Sequence, residues 1–505
     1  MRRVTWLVAL AAAVALALPS GGRAAVMQVA QPVPDFNNDG FGDLALGLPG
    51  ENVGRLVNAG AVSVLYGRSN GLSSNRRVIT QNSRGVPGFA EAGDQFGGAL
   101  VAGRFNRDAY WDVAVGTPGE DVGRDSAAGA VTILFGSRAG LGGAGARLLT
   151  QRNPEPGDNF GFSLAVGEIS GPAGAELAVG APGETVGNVR RAGAVSVISR
   201  PGIAPSHKAL YQGIRRRPGE SGVPGVPEAG DLFGWDIAAN DFMPAAGRDS
   251  LAVGAPGEDL GRAVDAGVVV VRYAGRTGGR TVLKQNRPER GDRFGSALGD
   301  GYLTRSDGTD DLAVGAPGET VGNARRAGVV SVFETGSSGF LARGSRGFYQ
   351  GVAGVPGTAE AGDRFGYAVA VGGYGRDVGG LAVGVPGEDV GTAADAGVLN
   401  VLYGVSGVRT QLLTQRNAGG AVEAGDRFGA ALSRPFTQDQ DVRQDLGVGA
   451  PGETVRGRAG AGAASVLFGG ASGGLGAGAA QLFYQGFRGV GGAGERGDAL
   501  GRAFS

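Results

Sequence analysis

Leu177-Ala-Val-Gly-Ala-Pro-Gly-Glu184 decides the fold, because the same eight residues return almost unchanged six more times. They read LALGLPGE ending at Glu51, VAVGTPGE at Glu120, LAVGAPGE again at Glu258 and Glu319, LAVGVPGE at Glu388 and LGVGAPGE at Glu453. The spacings are 69, 64, 74, 61, 69 and 65 residues, a mean of 67. A fixed period of this length marks an array of one supersecondary unit.

A second marker keeps step with the first. Gly-Asp-x-Phe-Gly places its Asp at Asp94, Asp158, Asp231, Asp292, Asp363 and Asp426, and a weakened form, GDALG, ends the chain at Asp498. The first Pro-Gly-Glu has no such marker before it, and the last marker has no Pro-Gly-Glu after it. Joined, the two orphan halves make one complete seventh unit.

Within one unit, Phe96–Ala102, Asp112–Gly116, Gly129–Phe135 and Arg147–Gln151 read as four short strands, with alternation at Val131, Ile133 and Phe135. Seven such units predict an all-β, seven-bladed β-propeller of four-stranded antiparallel blades. The ring is closed by both termini, with 499–505 supplying the first strand of the blade whose other strands lie between Asp43 and Gln81. In an up-and-down blade, the second-to-third and fourth-to-first connections share one face, called upper here.

This pairing of markers resembles the FG-GAP repeat, found in the integrin α head and in secreted bacterial proteins. The resemblance spans residues 35–505 and implies the same seven-bladed propeller, Ca²⁺ in the loop joining the first two strands of a blade, and ligand binding on the upper loop face.

The residues supply a loop that fits. Asp35-Phe-Asn37-Asn-Asp39-Gly40-Phe41-Gly-Asp43 sets oxygen ligands at positions 1, 3, 5 and 9, with the Phe41 carbonyl at 7 and a Gly for the sharp turn. Ca²⁺ is therefore expected on Asp35, Asn37, Asp39, Phe41 and Asp43, against the plainer reading of an Asx-rich turn capped by its own side chains. Asp439, Asp441 and Asp445 form a candidate second site that lacks the first ligand and the Gly. In 104–112, Arg104 stands where the first carboxylate belongs, which favours a salt-bridged, metal-free loop. Asp307, Gly308 and Asp311 are a fragment of the motif.

Residues 1–24 read as an export signal, with Arg2 and Arg3 before an apolar run from Trp6 to Leu18, too short to span a bilayer comfortably. Residues 25–34 read as a lead segment. A secreted, extracellular or cell-wall-associated monomer is expected, with no membrane insertion once the signal is removed. Basic and acidic residues balance at 47 each, so no field for nucleic acid is implied. There is no Cys, hence no disulfide framework.

Catalytic constellations are lacking. His207 is the single histidine. Gly470–Gly474 matches G-x-S-x-G and Gly140–Gly145 matches G-x-G-x-x-G, but neither has the strand and helix flanks that its chemistry needs. The seven Pro-Gly-Glu carboxylates are read as structural, bonded to nearby backbone N–H groups. The Arg290-Gly-Asp292 and Arg496-Gly-Asp498 triplets are read as parts of the repeat marker. The expected function is binding of a protein or cell-surface glycan. The alternatives are an extracellular hydrolase or lyase at the channel and a structural cell-envelope component.

Overall fold

A run of Leu, Val and Ala that ends in Pro-Gly can bury both faces as a short strand and must stop at the turn. In the computed structural model each such run is the fully buried second strand of a blade, as at Glu176–Ala181. The structure describes residues 34–505 apart from 74–76, 171–173, 214–220, 244–247, 274–278, 304–308, 353, 376–378, 405–408, 438–442, 471–473 and 487–493. The expected signal and residues 25–33 of the lead segment lie outside the described residues, as do Asp307, Gly308, Asp439, Asp441 and Ser472.

Seven antiparallel blades result, numbered here by their Pro-Gly-Glu. Blade 2 runs Ala99–Gly103, Asp112–Thr117, Ala130–Phe135 and Gly142–Leu149. Two of its details differ from the expectation. Phe96 precedes the first strand and bridges Gly60 of blade 1 instead. The fourth strand starts at Gly142 and pairs Phe135 with Gly142 around a register shift. The G-x-G-x-x-G match is therefore hairpin and strand and offers no phosphate loop. Blade 3 adds a fifth strand, Ser221–Val223, parallel to Leu210–Gln212.

Blade 1 is closed by both ends of the propeller. Ala503–Phe504 pairs with Leu44–Leu48, matching Phe504 to Leu46 and Ala503 to Gly47. Ser505 then brackets Ala45, its N–H donating to the Ala45 carbonyl at 3.1 Å and its Oγ accepting the Ala45 N–H at 3.0 Å. The first strands of neighbouring blades lie against one another around the whole ring.

The core is divided among the seven junctions between blades. One apolar cluster fills each, from blades 1 and 2 (Phe36, Val62, Phe96, Val113) round to blades 7 and 1 (Val466, Phe483, Leu46, Phe504). The marker phenylalanines Phe96, Phe160, Phe233, Phe294, Phe365 and Phe428 are fully buried, and Leu500 takes that place in blade 1. Each buried Phe contributes about 1.5–3 kcal/mol. The Gly of Pro-Gly-Glu serves close approach: a Cβ on Gly119 would lie 1.9 Å from the Gly93 carbonyl oxygen. Gly119 N–H donates to the Asp94 carbonyl at 3.0 Å, which pins the two markers together at one end of the blade. Among the described residues no helix is long and apolar enough to cross a membrane.

Candidate functional site

The Asp35–Asp43 loop enters blade 1 beneath buried Phe36, which anchors it in the cluster shared with blade 2. Its side chains fold it from within. Asp35 accepts the N–H of Asp39 on Oδ1 at 3.1 Å and that of Gly40 on Oδ2 at 2.8 Å. Asn37 Oδ1 accepts the same Asp39 N–H at 2.9 Å, while its Nδ2 donates to Asp39 Oδ2 at 2.9 Å. Asp39 Oδ1 accepts the Phe41 N–H at 3.1 Å. Gly40 turns the chain at φ 91° and Asn38 at φ 58°.

Asp43 differs from the other three. It is 1% exposed, and its two oxygens accept the N–H groups of Phe36 at 2.7 Å and Gly67 at 2.8 Å. Burial, with lesser contributions from Asp35 and Asp39, pushes its pKa up to about 7. The same brace recurs where the first carboxylate of the loop is missing: Asp112 ties Phe105 to Gly136, and Asp311 ties Leu303 to Thr335. Asp445 accepts the Gly469 N–H at 3.0 Å. Position 9 therefore fastens the loop to the end of the third strand in blades 1, 2, 5 and 7. The sequence pattern suggested only a ligand there.

The donor set suits a hard cation. Asp35 Oδ1 and Asn37 Oδ1 converge on the Asp39 N–H, and every carboxylate oxygen retains a lone pair. Among the described residues no three His, Cys, Asp or Glu side chains are gathered closely enough to hold a metal by themselves. An ion here needs Asn37 and a main-chain carbonyl as well. Arg104 in the blade 2 loop stacks over Trp111 at 5.6 Å, so a cation–π contact stands where a salt bridge was expected.

The Pro-Gly-Glu carboxylates reach further than nearby backbone. Each accepts Nε2 of a Gln at the end of the preceding blade: Gln81 to Glu120 at 2.5 Å, Gln151 to Glu184 at 2.6 Å, Gln212 to Glu258 at 2.6 Å, Gln285 to Glu319 at 2.5 Å and Gln350 to Glu388 at 2.7 Å. Gln415 to Glu453 and Gln485 to Glu51 complete the set, the last across the ring closure. The role is structural as expected, but the partner is an inter-blade amide. The seven glutamines are in phase with the other markers, a signal that was present in the sequence.

Other candidates fall away. Asp292 and Asp498 of the two Arg-Gly-Asp triplets are 1% and 0% exposed, so neither offers its carboxylate to solvent. Gly470 ends the third strand of blade 7 and Gly474 begins the fourth, a hairpin without the strand-to-helix turn. His207 lies on the fourth strand of blade 3, its pKa lowered by burial and by Arg152, and its Nδ1 has no hydrogen-bond partner among the described residues.

The comparisons with known proteins agree with this architecture. The FG-GAP repeat model matches residues 31–65. A 149-residue segment is 31% identical to phosphatidylinositol-glycan-specific phospholipase D of Bos taurus, covering 29% of this chain and 18% of that protein. Integrin alpha-PS5 of Drosophila melanogaster is 33% identical over 155 residues, 30% of this chain and 14% of the relative. Integrin alpha-E of Homo sapiens is 38% identical over 107 residues, covering 20% and 9%. The chain thus spans about a fifth or less of the length of the relatives it matches. It carries FG-GAP repeat sequence on a seven-bladed propeller and is homologous to the corresponding regions of integrin α-subunits and of these phospholipases.

Proposed function

We propose that this protein is a secreted propeller, stabilised by Ca²⁺ on the Asp35–Asp43 loop, that binds a protein or cell-surface glycan through its upper loop face. The observation that carries this reading is the contrast between uniform blades and unlike upper loops. Gly85-Val-Pro-Gly88, Gly222-Val-Pro-Gly225 and Gly354-Val-Pro-Gly357 repeat in three fourth-to-first connections, yet the next residue is Phe89, Val226 or Thr358. Phe89 and Val226 are 81% and 71% exposed, the most exposed large apolar side chains among the described residues. A shared scaffold that presents different apolar tips suits recognition, where rigid elements carry variable loops.

If bound, Ca²⁺ would supply charge neutralisation to the loop, with Asp35, Asn37 and Asp39 holding it by side chains and Phe41 by its carbonyl. Asp43 would keep its brace to Phe36 and Gly67. Glycan arrays and cell-wall pull-downs test the binding reading, with a Phe89→Ala, Val226→Ser double variant expected to lose capture while melting normally. Reproducible turnover of esters, phosphodiesters or polysaccharides, with or without EDTA, would replace it with a hydrolase.

A further inference from the structure

The Glu of each Pro-Gly-Glu meets the Asp of Gly-Asp at the junction between two blades. Glu184 lies against Asp158, Glu319 against Asp292 and Glu453 against Asp426. Glu120 faces Asp94, Glu258 faces Asp231, Glu388 faces Asp363, and Glu51 faces Asp498 across the ring closure. The Asp residues are at most 2% exposed. None of these carboxyls forms an ion pair with Lys or Arg among the described residues.

A buried Asp beside a half-buried Glu, with no cation between them, strongly disfavours ionising both. The hydrogen bonds indicate where a proton belongs. Asp158 Oδ2 accepts the Glu155 N–H at 2.7 Å, and the matching bond recurs in the other six junctions. Oδ1 of Asp158, Asp231, Asp426 and Asp498 is buried without a donor. Glu184 Oε2 takes the Gln151 amide, which leaves its other oxygen for Asp158. A neutral Glu184 accepts on one oxygen and donates from the other, and the orphan acceptor is filled.

We infer that each blade junction is a proton-binding site, in which the Pro-Gly-Glu carboxylic acid donates to the Gly-Asp carboxylate and ties one blade to the next. The ring is thus locked by seven protons and loosened by alkali. This goes beyond the binding role and does not depend on it.

The surroundings favour the neutral form. Burial first, then Asp158 and Glu155, holds Glu184 up at about 8, while Gln151 pulls the other way; Asp125 adds negative charge on Asp158. The charges facing the other glutamates are again carboxylates: Glu91 and Asp121 at Glu120, Glu228 and Asp259 at Glu258, Glu289 at Glu319, Glu360 and Asp389 at Glu388, Glu423 at Glu453, and Glu495 at Glu51. Arg458, which acts on Asp498, is the cation at the closure. Folded pKa values raised above an unfolded value of about 4.3 make the native state hold more protons. This stability is fully present below the unfolded value and is lost as pH rises through about 7–8.

The test uses the full chain in EDTA, in an Asp39→Ala background, so that the proposed Ca²⁺ loop plays no part. The melting temperature should fall from pH 5 to pH 8, and infrared spectra at pH 7 should show a protonated carboxyl C=O band. Glu184→Gln reproduces the neutral acid. It should raise the melting temperature at pH 8 by on the order of 1–2 °C, leave it unchanged at pH 5, and weaken the band without abolishing it, since the other junctions and Asp43 still contribute. Absence of the band in the Asp39→Ala protein, which needs no junction variant to fold, would overturn the inference. So would a Glu184→Gln penalty equal at both pH values. Full recovery of pH 8 stability on adding Ca²⁺ would assign the junctions to a metal instead.

Discussion

The entry loops of blades 1 and 2 are built alike and differ at one end. In both, Asn donates to Asp two residues on, Asn37 to Asp39 at 2.9 Å and Asn106 to Asp108 at 2.7 Å. In both, the last Asp braces a Phe N–H and a Gly N–H, Asp43 on Phe36 and Gly67, Asp112 on Phe105 and Gly136. They part at the first position, where Asp35 caps Asp39 and Gly40 but Arg104 lies over Trp111. The shared bonds therefore serve to shape and fasten the loop, and the capacity for a cation rests on Asp35 and the Gly40 turn.

The largest effect on this comparison comes from removing the closing strand. Deleting 498–505 strips blade 1 of Leu500 and Phe504, both buried, and leaves the blade 2 strands intact. The loss should be on the order of 5 kcal/mol or more, read as a sharp fall in melting temperature. An unchanged melting temperature would refute closure by the C-terminus.

Next in size are Asp43→Ala and Asp112→Ala. Each orphans two N–H groups, so each should cost about 2–4 kcal/mol without added Ca²⁺, measured by urea denaturation. A cost confined to Asp43 would mean that the brace is not shared. Asp39→Ala should remove about 1–3 kcal/mol of Ca²⁺-dependent stability, whereas Asp108→Ala should leave the response to Ca²⁺ as in wild type. The smallest effect is a gain: Arg104→Asp with Ala109→Gly should give blade 2 a weak Ca²⁺ response, seen as a melting-temperature rise of roughly 1–2 °C.

Much of this was legible in the sequence because it is local or periodic. Leu-Ala-Val-Gly next to Pro-Gly-Glu contains both strand and stop, and the orphan halves at 44–51 and 498–501 complete one another as a single unit. The glutamine clasp was harder to find, because Gln151 and Glu184 belong to different blades and only packing brings them together. The brace at Asp43 was hidden for a related reason. Its second partner, Gly67, lies 24 residues on, at the far end of the third strand, so the loop pattern alone showed only a ligand. Arg104 was expected to find a carboxylate, yet Trp111 offered its ring nearer by.

Calorimetric titration of Ca²⁺ into metal-stripped wild type, Asp39→Ala and Asp108→Ala separates a cation-binding loop from one that is only braced. Wild type should bind at one site that Asp39→Ala abolishes and Asp108→Ala leaves in place. No binding in wild type, or equal loss in both variants, would contradict it.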